Sequence, residues 1–223
     1  MTIQPVDYSL YVITDAQLSR GRSHRQVIQA AIRGGATMVQ YREKNASTRK
    51  MIDEALELRD LCRAHGVPFI VNDRVDVTLA VGADGVHVGQ DDMPASLARK
   101  LIGPDKILGI SAENVEQARA AIADGADYVG AGAIFATVTK TDANKPIEIL
   151  GLQKIARACT IPIVGIGGIN ASNATSVIHA GAAGIAVISA IVSADDVKQA
   201  ACELREIVEN AKAHREDAKS AKV

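Results

Sequence analysis

Two stretches of the sequence carry residue types at spacings that suit phosphate. The first is Gln40-Tyr41-Arg42-Glu43-Lys44, at the end of an apolar run. Alternate residues of a strand share a face, so Gln40, Arg42 and Lys44 point the same way. Two cations and an amide on one face suit a phosphate-rich anion, which a guanidinium can grip through two parallel hydrogen bonds. A solvated charge cluster is the plainer reading of these residues, but it would send Tyr41 and Glu43 into the core. The second stretch is Gly165-Ile166-Gly167-Gly168-Ile169-Asn170, ahead of a helical pattern. Glycines let backbone N–H groups approach an anion, and a helix N-terminus favours negative charge. Val187-Ile188-Ser189-Ala190 closes the next apolar run.

Acidic and hydroxyl groups lie between these stretches. Asn72-Asp73-Arg74 ends one apolar run, and His87-Val88-Gly89-Gln90-Asp91-Asp92 ends the next. Neighbouring strands would let Asp73 approach Asp91 or Asp92. Two carboxylates without a cluster of histidines suit Mg2+ better than Zn2+, and magnesium draws the rest of its shell from water and substrate phosphate. The competing role for these acids, and for Asn72, is capping the helices that follow. His87 falls inside a strand run and reads as a hydrogen-bonded core histidine rather than a general base. Ser111, in Gly109-Ile110-Ser111-Ala112, suits the site and the cap of the next helix equally. Thr137-Val138-Thr139-Lys140-Thr141 sets a lysine among hydroxyls, and Asp142 to Leu150 beyond it shows little pattern. Such a loop either closes over a ligand or is simply solvated. There is no Ser-His-Asp set, no lysine inside a strand for a Schiff base, and no paired acid and base. The residues alone point to chemistry on two phosphorylated small molecules, one with a diphosphate-type leaving group.

A repeat indicates the elements that position these groups. Gly35-Ala-Thr-Met-Val-Gln, Gly82-Ala-Asp-Gly-Val-His, Gly125-Ala-Asp-Tyr-Val-Gly and Gly181-Ala-Ala-Gly-Ile-Ala each follow a helix-like stretch and open an apolar run. A glycine there suits a left-handed helix end. The short runs rich in Val and Ile, which include Leu10-Tyr-Val-Ile, Phe69-Ile-Val, Ile107-Leu-Gly-Ile and Ile161-Pro-Ile-Val-Gly-Ile, suit strands buried on both faces of a parallel sheet. Arg49 to His65 is the clearest helix, with Ile52, Ala55, Leu56, Arg59 and Cys62 three or four apart. Ser47-Thr48 and Asn170 are start signals. Eight strands alternating with eight helices predict an α/β fold, a single (β/α)8 TIM barrel over residues 1–209, with a frayed or disordered tail over 210–223. A doubly wound sheet competes, but its usual strand count leaves units unplaced. In a barrel the polar residues above all fall at C-terminal strand ends, where active sites lie, and the glycines after strand 7 gain weight as a phosphate site.

Composition excludes other classes. The chain of 223 residues carries 25 Lys plus Arg against 26 Asp plus Glu, a net charge of −1. A nucleic-acid binder usually shows a basic surplus, and single-strand binders need aromatic platforms, whereas aromatics are 3% here. No apolar run suits a membrane span and the first residues do not read as a signal peptide. Cys62, Cys159 and Cys202 are too few and too scattered for a disulfide framework or a metal motif, which predicts a reduced, cytoplasmic setting.

Taken in order, Gln40-Tyr-Arg42-Glu-Lys44, Asn72-Asp73-Arg74, Gly85-Val-His-Val-Gly-Gln-Asp-Asp92, Gly109-Ile-Ser111, Thr137-Val-Thr139-Lys140, Gly165-Ile-Gly-Gly168 and Ile188-Ser189 resemble thiamine-phosphate synthase. The resemblance runs from about Tyr8 to Val208. It implies an enzyme that joins hydroxymethylpyrimidine diphosphate to thiazole phosphate, or its carboxylated form, giving thiamine phosphate and pyrophosphate. It implies that Gln40, Arg42, Lys44, Asn72, Ser111 and Lys140 hold the pyrimidine diphosphate, with Arg42, Lys44, Ser111 and Lys140 catalytic. Asp73 and Asp92 would bind one Mg2+ per subunit. Thr137, Thr139, Gly168, Ile188 and Ser189 would bind the thiazole phosphate.

The family mechanism is dissociative: diphosphate leaves first, and the thiazole nitrogen attacks the pyrimidine-stabilised cation. The chain departs from the family at Ala133 and Ala136, where proline is common, and at Tyr41, which replaces an aliphatic and should point outward. A related thiazole tautomerase and a non-catalytic barrel that binds thiamine precursors are the alternatives; neither needs the metal and diphosphate set. The expected partners are the two small-molecule substrates, with no nucleic acid or membrane, and a homo-oligomer is compatible. With so few aromatics, hydrogen bonds and aliphatic walls are expected to hold the pyrimidine.

Overall fold

Short apolar runs become strands, and the glycine at the head of each repeat lets the preceding helix stop. Gly35, Gly82, Gly125 and Gly181 have φ of 96°, 65°, 86° and 113°, a region that L side chains avoid. The computed structural model describes residues 6–137 and 145–220, with side chains through 217. Its elements run β1 (Leu10–Ile13), α1 (His24–Arg33), β2 (Met38–Tyr41), α2 (Thr48–Ala64), β3 (Phe69–Asn72), α3 (Val75–Val81), β4 (Gly85–Val88) and α4 (Ala95–Ile102). They continue as β5 (Ile107–Ala112), α5 (Val115–Ala123), β6 (Tyr128–Ala131), α6 (Glu148–Ala158), β7 (Ile163–Ile166), α7 (Ala174–His179), β8 (Gly184–Val187), α8 (Ser189–Val192) and α9 (Val197–Ser220). The strands form a closed barrel in sequence order, and β8 pairs in parallel with β1. This is the single (β/α)8 barrel that the repeat predicts.

Local signals explain several boundaries. Ser23 caps α1 in a reciprocal box with Gln26, and Ser47 caps α2 through the N–H of Lys50. The buried stripe of α2 is Met51, Ala55, Leu58, Leu61 and Cys62, one step around the helix from the expected stripe, so Ile52 and Leu56 sit at its margin. Asn170 does not start α7 directly. Its side chain holds Ser172, and the helix begins at Ala174 behind Asn173. Among the described residues there is also one more helix than expected, the short α8 directly after β8.

Each strand sorts its side chains between two cores. Leu10 and Val12 face the helices, whereas Tyr11 and Ile13 face the barrel interior with Met38, Ile70, Tyr128 and Val164. Large side chains fit there because glycine stands opposite them. A Cβ on Gly109 would lie 2.2 Å from Cζ of Tyr128.

The C-terminal boundary expected at residue 209 is corrected. Helix α9 continues through Ser220, because its lower half has partners on the barrel. Ala211 is buried, Lys212 bonds to Ser9, and Arg215 donates to the carbonyls of Ile178 and Ala182, both at 2.8 Å. Residues 221–223 lie outside the described residues. No helix among the described residues is long and apolar enough to cross a membrane.

Arg215→Ala removes two charge-assisted bonds that hold the C-terminal end of α7, and should destabilise the fold by about 2 kcal/mol. Urea unfolding checks this, and an unchanged midpoint would mean that this part of α9 contributes nothing to the barrel.

Candidate active site

A cavity of about 480 Å³ opens at the C-terminal ends of the strands, and all eight strand ends contribute to its lining. It gathers Gln40, Arg42, Lys44, Asn72, Asp73, Asp92, Ser111, Thr137, Gly168, Ile188 and Ser189. Thr139 and Lys140 lie outside the described residues.

The cationic wall follows from strand parity. Gln40 points into the barrel, while Tyr41 turns outward and its hydroxyl donates to Glu54 at 2.7 Å. Tyr41 points away from the barrel interior but is fully buried in the core between barrel and helices, so the expectation that it would stay out of the core is corrected. Arg42 sits just past the strand. Its N–H donates to Thr14 Oγ1 at 2.9 Å, and its guanidinium pairs with Asp15 at 2.8 Å, both side chains mostly buried. Asp15 was not legible as a site residue, because its link to Arg42 depends on β1 lying beside β2. The pair fixes the guanidinium and leaves other N–H donors for a ligand.

Asp73 and Asp92 meet across β3 and β4, as the pairing of these strands allows. Asp73 has φ of 61°, a left-handed conformation rare outside glycine, and its N–H donates to the carbonyl of His87 at 2.8 Å. Asp92 accepts the N–H of Gly89 at 2.7 Å. Neither carboxylate caps a helix: Arg74 and Pro94 precede α3 and α4, with no side-chain cap bond at either. Burial, then the hydrogen bond and like charge of Asp92, push the Asp73 carboxyl up to about 7, against the pull of Lys44 and Arg42. A carboxyl pair that must share a proton when alone suits a hard divalent cation. Among the described residues no group of three His, Cys, Asp or Glu gathers. The two acids therefore fit an ion that keeps water and takes phosphate oxygens, as magnesium does.

The floor of the cavity is polar and continuous. Gln40 Nε2 donates to the Tyr11 hydroxyl at 2.8 Å, which meets the Tyr128 hydroxyl at 2.9 Å. Tyr128 reaches His87 Nδ1 at 2.9 Å, and His87 Nε2 reaches Ser111 Oγ at 2.9 Å. Ser111 lines the cavity and does not cap a helix; Asn114 caps α5. His87 is hydrogen-bonded through both ring nitrogens, as expected of a core histidine, yet it also lines the cavity. Tyr11 and Tyr128 were missed. Their signal was the parity of Tyr11 with Ile13 and of Tyr128 with Gly130 on their strands. Ile13, Val164 and Ile166 give the cavity aliphatic lining, which the phenols of Tyr11 and Tyr128 share.

The opposite wall is neutral. Gly167 and Gly168 have φ of 96° and 67°, and a Cβ on Gly168 would lie 2.7 Å from the carbonyl oxygen of Ala136. The described start of the β6 loop packs on this glycine turn, through Ile134 N–H to Ile166 O and Phe135 N–H to Gly167 O at 2.9 and 3.0 Å. Ala133 and Ala136, the departures from the family, both lie in this packed stretch. Asn173 accepts from the N–H of Asn170 and donates to the carbonyl of Gly168 at 3.0 Å, which fixes the turn. Ile188 and Ser189 bring the start of α8 to the same wall.

Comparison with known proteins agrees with this architecture. A family model described as thiamine monophosphate synthase matches residues 10–191. The chain is 68% identical over 203 residues to the thiamine-phosphate synthase of Chloroflexus aurantiacus, covering 91% of this chain and 94% of that one. It is 52% identical over 205 residues to the thiamine-phosphate synthase of Ruminiclostridium cellulolyticum, covering 92% and 97%. The solved structure of thiamine phosphate pyrophosphorylase from Pyrococcus furiosus superposes with a TM-score of 0.86 at 47% identity, over 92% of this chain and 98% of that one.

The raised Asp73 carboxyl has a consequence for stability. Between the usual carboxylate range and about 7, the folded chain holds a proton that the unfolded chain has released, so metal-free stability falls as pH rises through that window. Asp92→Asn removes the like charge and should flatten the slope. Urea midpoints of both proteins at about pH 5 and about pH 8, without metal, check the linkage; parallel slopes would contradict it.

Proposed function

The chain belongs to the thiamine monophosphate synthase family, and on that premise we propose that it is a transferase that joins hydroxymethylpyrimidine diphosphate to thiazole phosphate, or to its carboxylated form with loss of carbon dioxide, releasing pyrophosphate. One observation carries the reading: a cationic wall, a carboxylate pair and a glycine-lined wall share one cavity. We assign Gln40, Arg42, Lys44, Asn72 and Ser111 to the pyrimidine diphosphate, together with Lys140. Thr137, Gly168, Ile188 and Ser189, with Thr139, take the thiazole phosphate. Asp73 and Asp92 would hold one Mg2+, which when bound supplies charge neutralisation to the departing diphosphate. The barrel is one catalytic unit, and the unpaired cysteines support a reduced, cytoplasmic setting.

The chain's own groups divide the work. The bond between the pyrimidine methylene carbon and the diphosphate oxygen breaks, and its electron pair leaves on pyrophosphate. Arg42 and Lys44 stabilise that charge as it forms, and Asp15 keeps Arg42 in place without occupying all its donors. The thiazole nitrogen then gives its lone pair to the electron-poor carbon and becomes a thiazolium. With the uncarboxylated thiazole phosphate no proton moves in this exchange, so the step itself calls for no general base. Ile13, Val164 and Ile166 shield the cation from water, and the glycine turn holds the nucleophile on the same side of the barrel.

Mixing the protein with Mg2+, pyrimidine diphosphate and thiazole phosphate should yield thiamine phosphate and pyrophosphate in equal amounts. Absence of product at high enzyme concentration would sink the reading. Chelation by EDTA should stop the reaction, whereas a tautomerase or a binding protein would be indifferent. Asp92→Ala should lower turnover by at least roughly a hundredfold with the fold intact by circular dichroism; undiminished turnover would refute the assignment of Asp92.

A further inference from the structure

The barrel floor holds five polar side chains from five strands in one unbroken hydrogen-bond chain: Gln40, Tyr11, Tyr128, His87 and Ser111. We propose that Tyr11, Tyr128 and His87 are positioning residues, which set the direction of this chain and thereby decide what the two ends present to the pyrimidine. This rests on the assignment of that wall to the pyrimidine diphosphate.

The direction follows from proton counting. The Gln40 amide nitrogen can only donate, so the Tyr11 oxygen receives its bond. Tyr11 is 1% exposed, and a buried hydroxyl proton without an acceptor is costly. Its proton therefore goes to the Tyr128 oxygen. Tyr128 is fully buried too, and its proton goes to His87 Nδ1. Burial holds both phenols protonated, well above their usual range, so each has one proton to give. A ring that accepts at Nδ1 is neutral and carries its proton at Nε2. That proton faces Ser111 Oγ, and the serine's own proton is left for the cavity.

The two ends are then unlike. On β2, Gln40 spends an N–H below and keeps its carbonyl oxygen as an acceptor. On β5, Ser111 is made a donor. A heterocycle with an exocyclic amino group on one side and a ring nitrogen on the other meets both. Reversing the chain would turn both ends over and reject that ring, since a site built for hydrogen bonds discriminates strongly against a mismatched partner.

A second observation supports a purpose for the chain. Gly109 lies directly against its middle link: a Cβ there would come within 2.3 Å of the Tyr128 hydroxyl and 2.5 Å of His87 Nδ1. Its φ is not positive, so no turn calls for glycine. What calls for it is room for the Tyr128–His87 bond.

The test has a spectroscopic and a kinetic arm. Long-range 15N–1H correlation spectra of the wild-type protein, with His87 assigned through His87→Asn, should show His87 as the neutral Nε2–H tautomer at neutral pH. An Nδ1–H tautomer or a charged ring overturns the proposal, whether or not the protein makes thiamine phosphate. If the Nε2–H tautomer is found but no product forms, the functional assignment fails and the chain stands. Kinetically, Tyr128→Phe should raise KM for the pyrimidine diphosphate about tenfold while KM for the thiazole phosphate stays within about twofold. Gly109→Ala should show the same split and a mixture of His87 tautomers. An equal rise in both KM values, or no rise, would mean that these residues only support the fold. Should Tyr128→Phe fail to fold, Tyr11→Phe carries the same kinetic test.

Discussion

A closed barrel of eight short strands has an interior too narrow to stay empty and too dry to leave a polar group alone. Every second strand residue must fill that space, and any amide, hydroxyl or imidazole placed there must be bonded to another. In this chain the constraint is met in two ways along the barrel axis. Towards the N-terminal ends, Tyr8, Met38, Ile70 and the tyrosine rings pack as an apolar plug. Towards the C-terminal ends, Gln40, His87 and Ser111 satisfy one another through the phenols of Tyr11 and Tyr128. The cavity stands on that floor. Above it, Arg42 is held by Asp15 and Thr14, Asp92 by the N–H of Gly89, and the glycine turn by Asn173.

Electrostatics explains the rest of the site. A total charge of −1 says little, because the charges that matter are paired locally. Arg42 is held by Asp15, and Asp73 and Asp92 are held against each other. The second pairing is unfavourable by itself. Asp73 is partly buried and Asp92 exposed, the two compete for one proton, and Asp73 has a left-handed backbone. Strain and like-charge contact in one place are what a site built for a cation and an anionic substrate would carry, at the expense of stability in their absence.

Much of this was legible in the sequence, and the remainder was not for physical reasons. The strands and the barrel follow from the repeat of glycine before an apolar run, since parallel strands buried on both faces read as Val and Ile without alternation. The approach of Asp73 to Asp91 or Asp92 follows from their places at neighbouring strand ends, and the family resemblance selects Asp92. Whether Ser111 faced the cavity or capped α5 could not be read, because serine suits both and the choice rests on where β5 stops. Asp15 was invisible because its link to Arg42 depends on β1 lying beside β2; strand parity could place Tyr11 and Tyr128 inside the barrel, but their bonds to Gln40 and His87 depend on contacts among β1, β2, β4 and β6 that no local pattern encodes. The end of the barrel was misplaced for a related reason. The stretch after residue 209 has few large apolar residues, and it is ordered by Arg215 reaching carbonyls at the end of α7.

The central claim is that one cavity holds the leaving diphosphate on the Arg42 and Asp73–Asp92 side and the thiazole phosphate on the Gly168 and Ser189 side. A crystal structure with thiamine phosphate, pyrophosphate and Mg2+ tests it most directly. Pyrophosphate should lie on Arg42 and Lys44, the ion on Asp73 and Asp92, and the ester phosphate against the glycine turn. Pyrophosphate bound at the glycine turn, or an ion that touches neither aspartate, would contradict it.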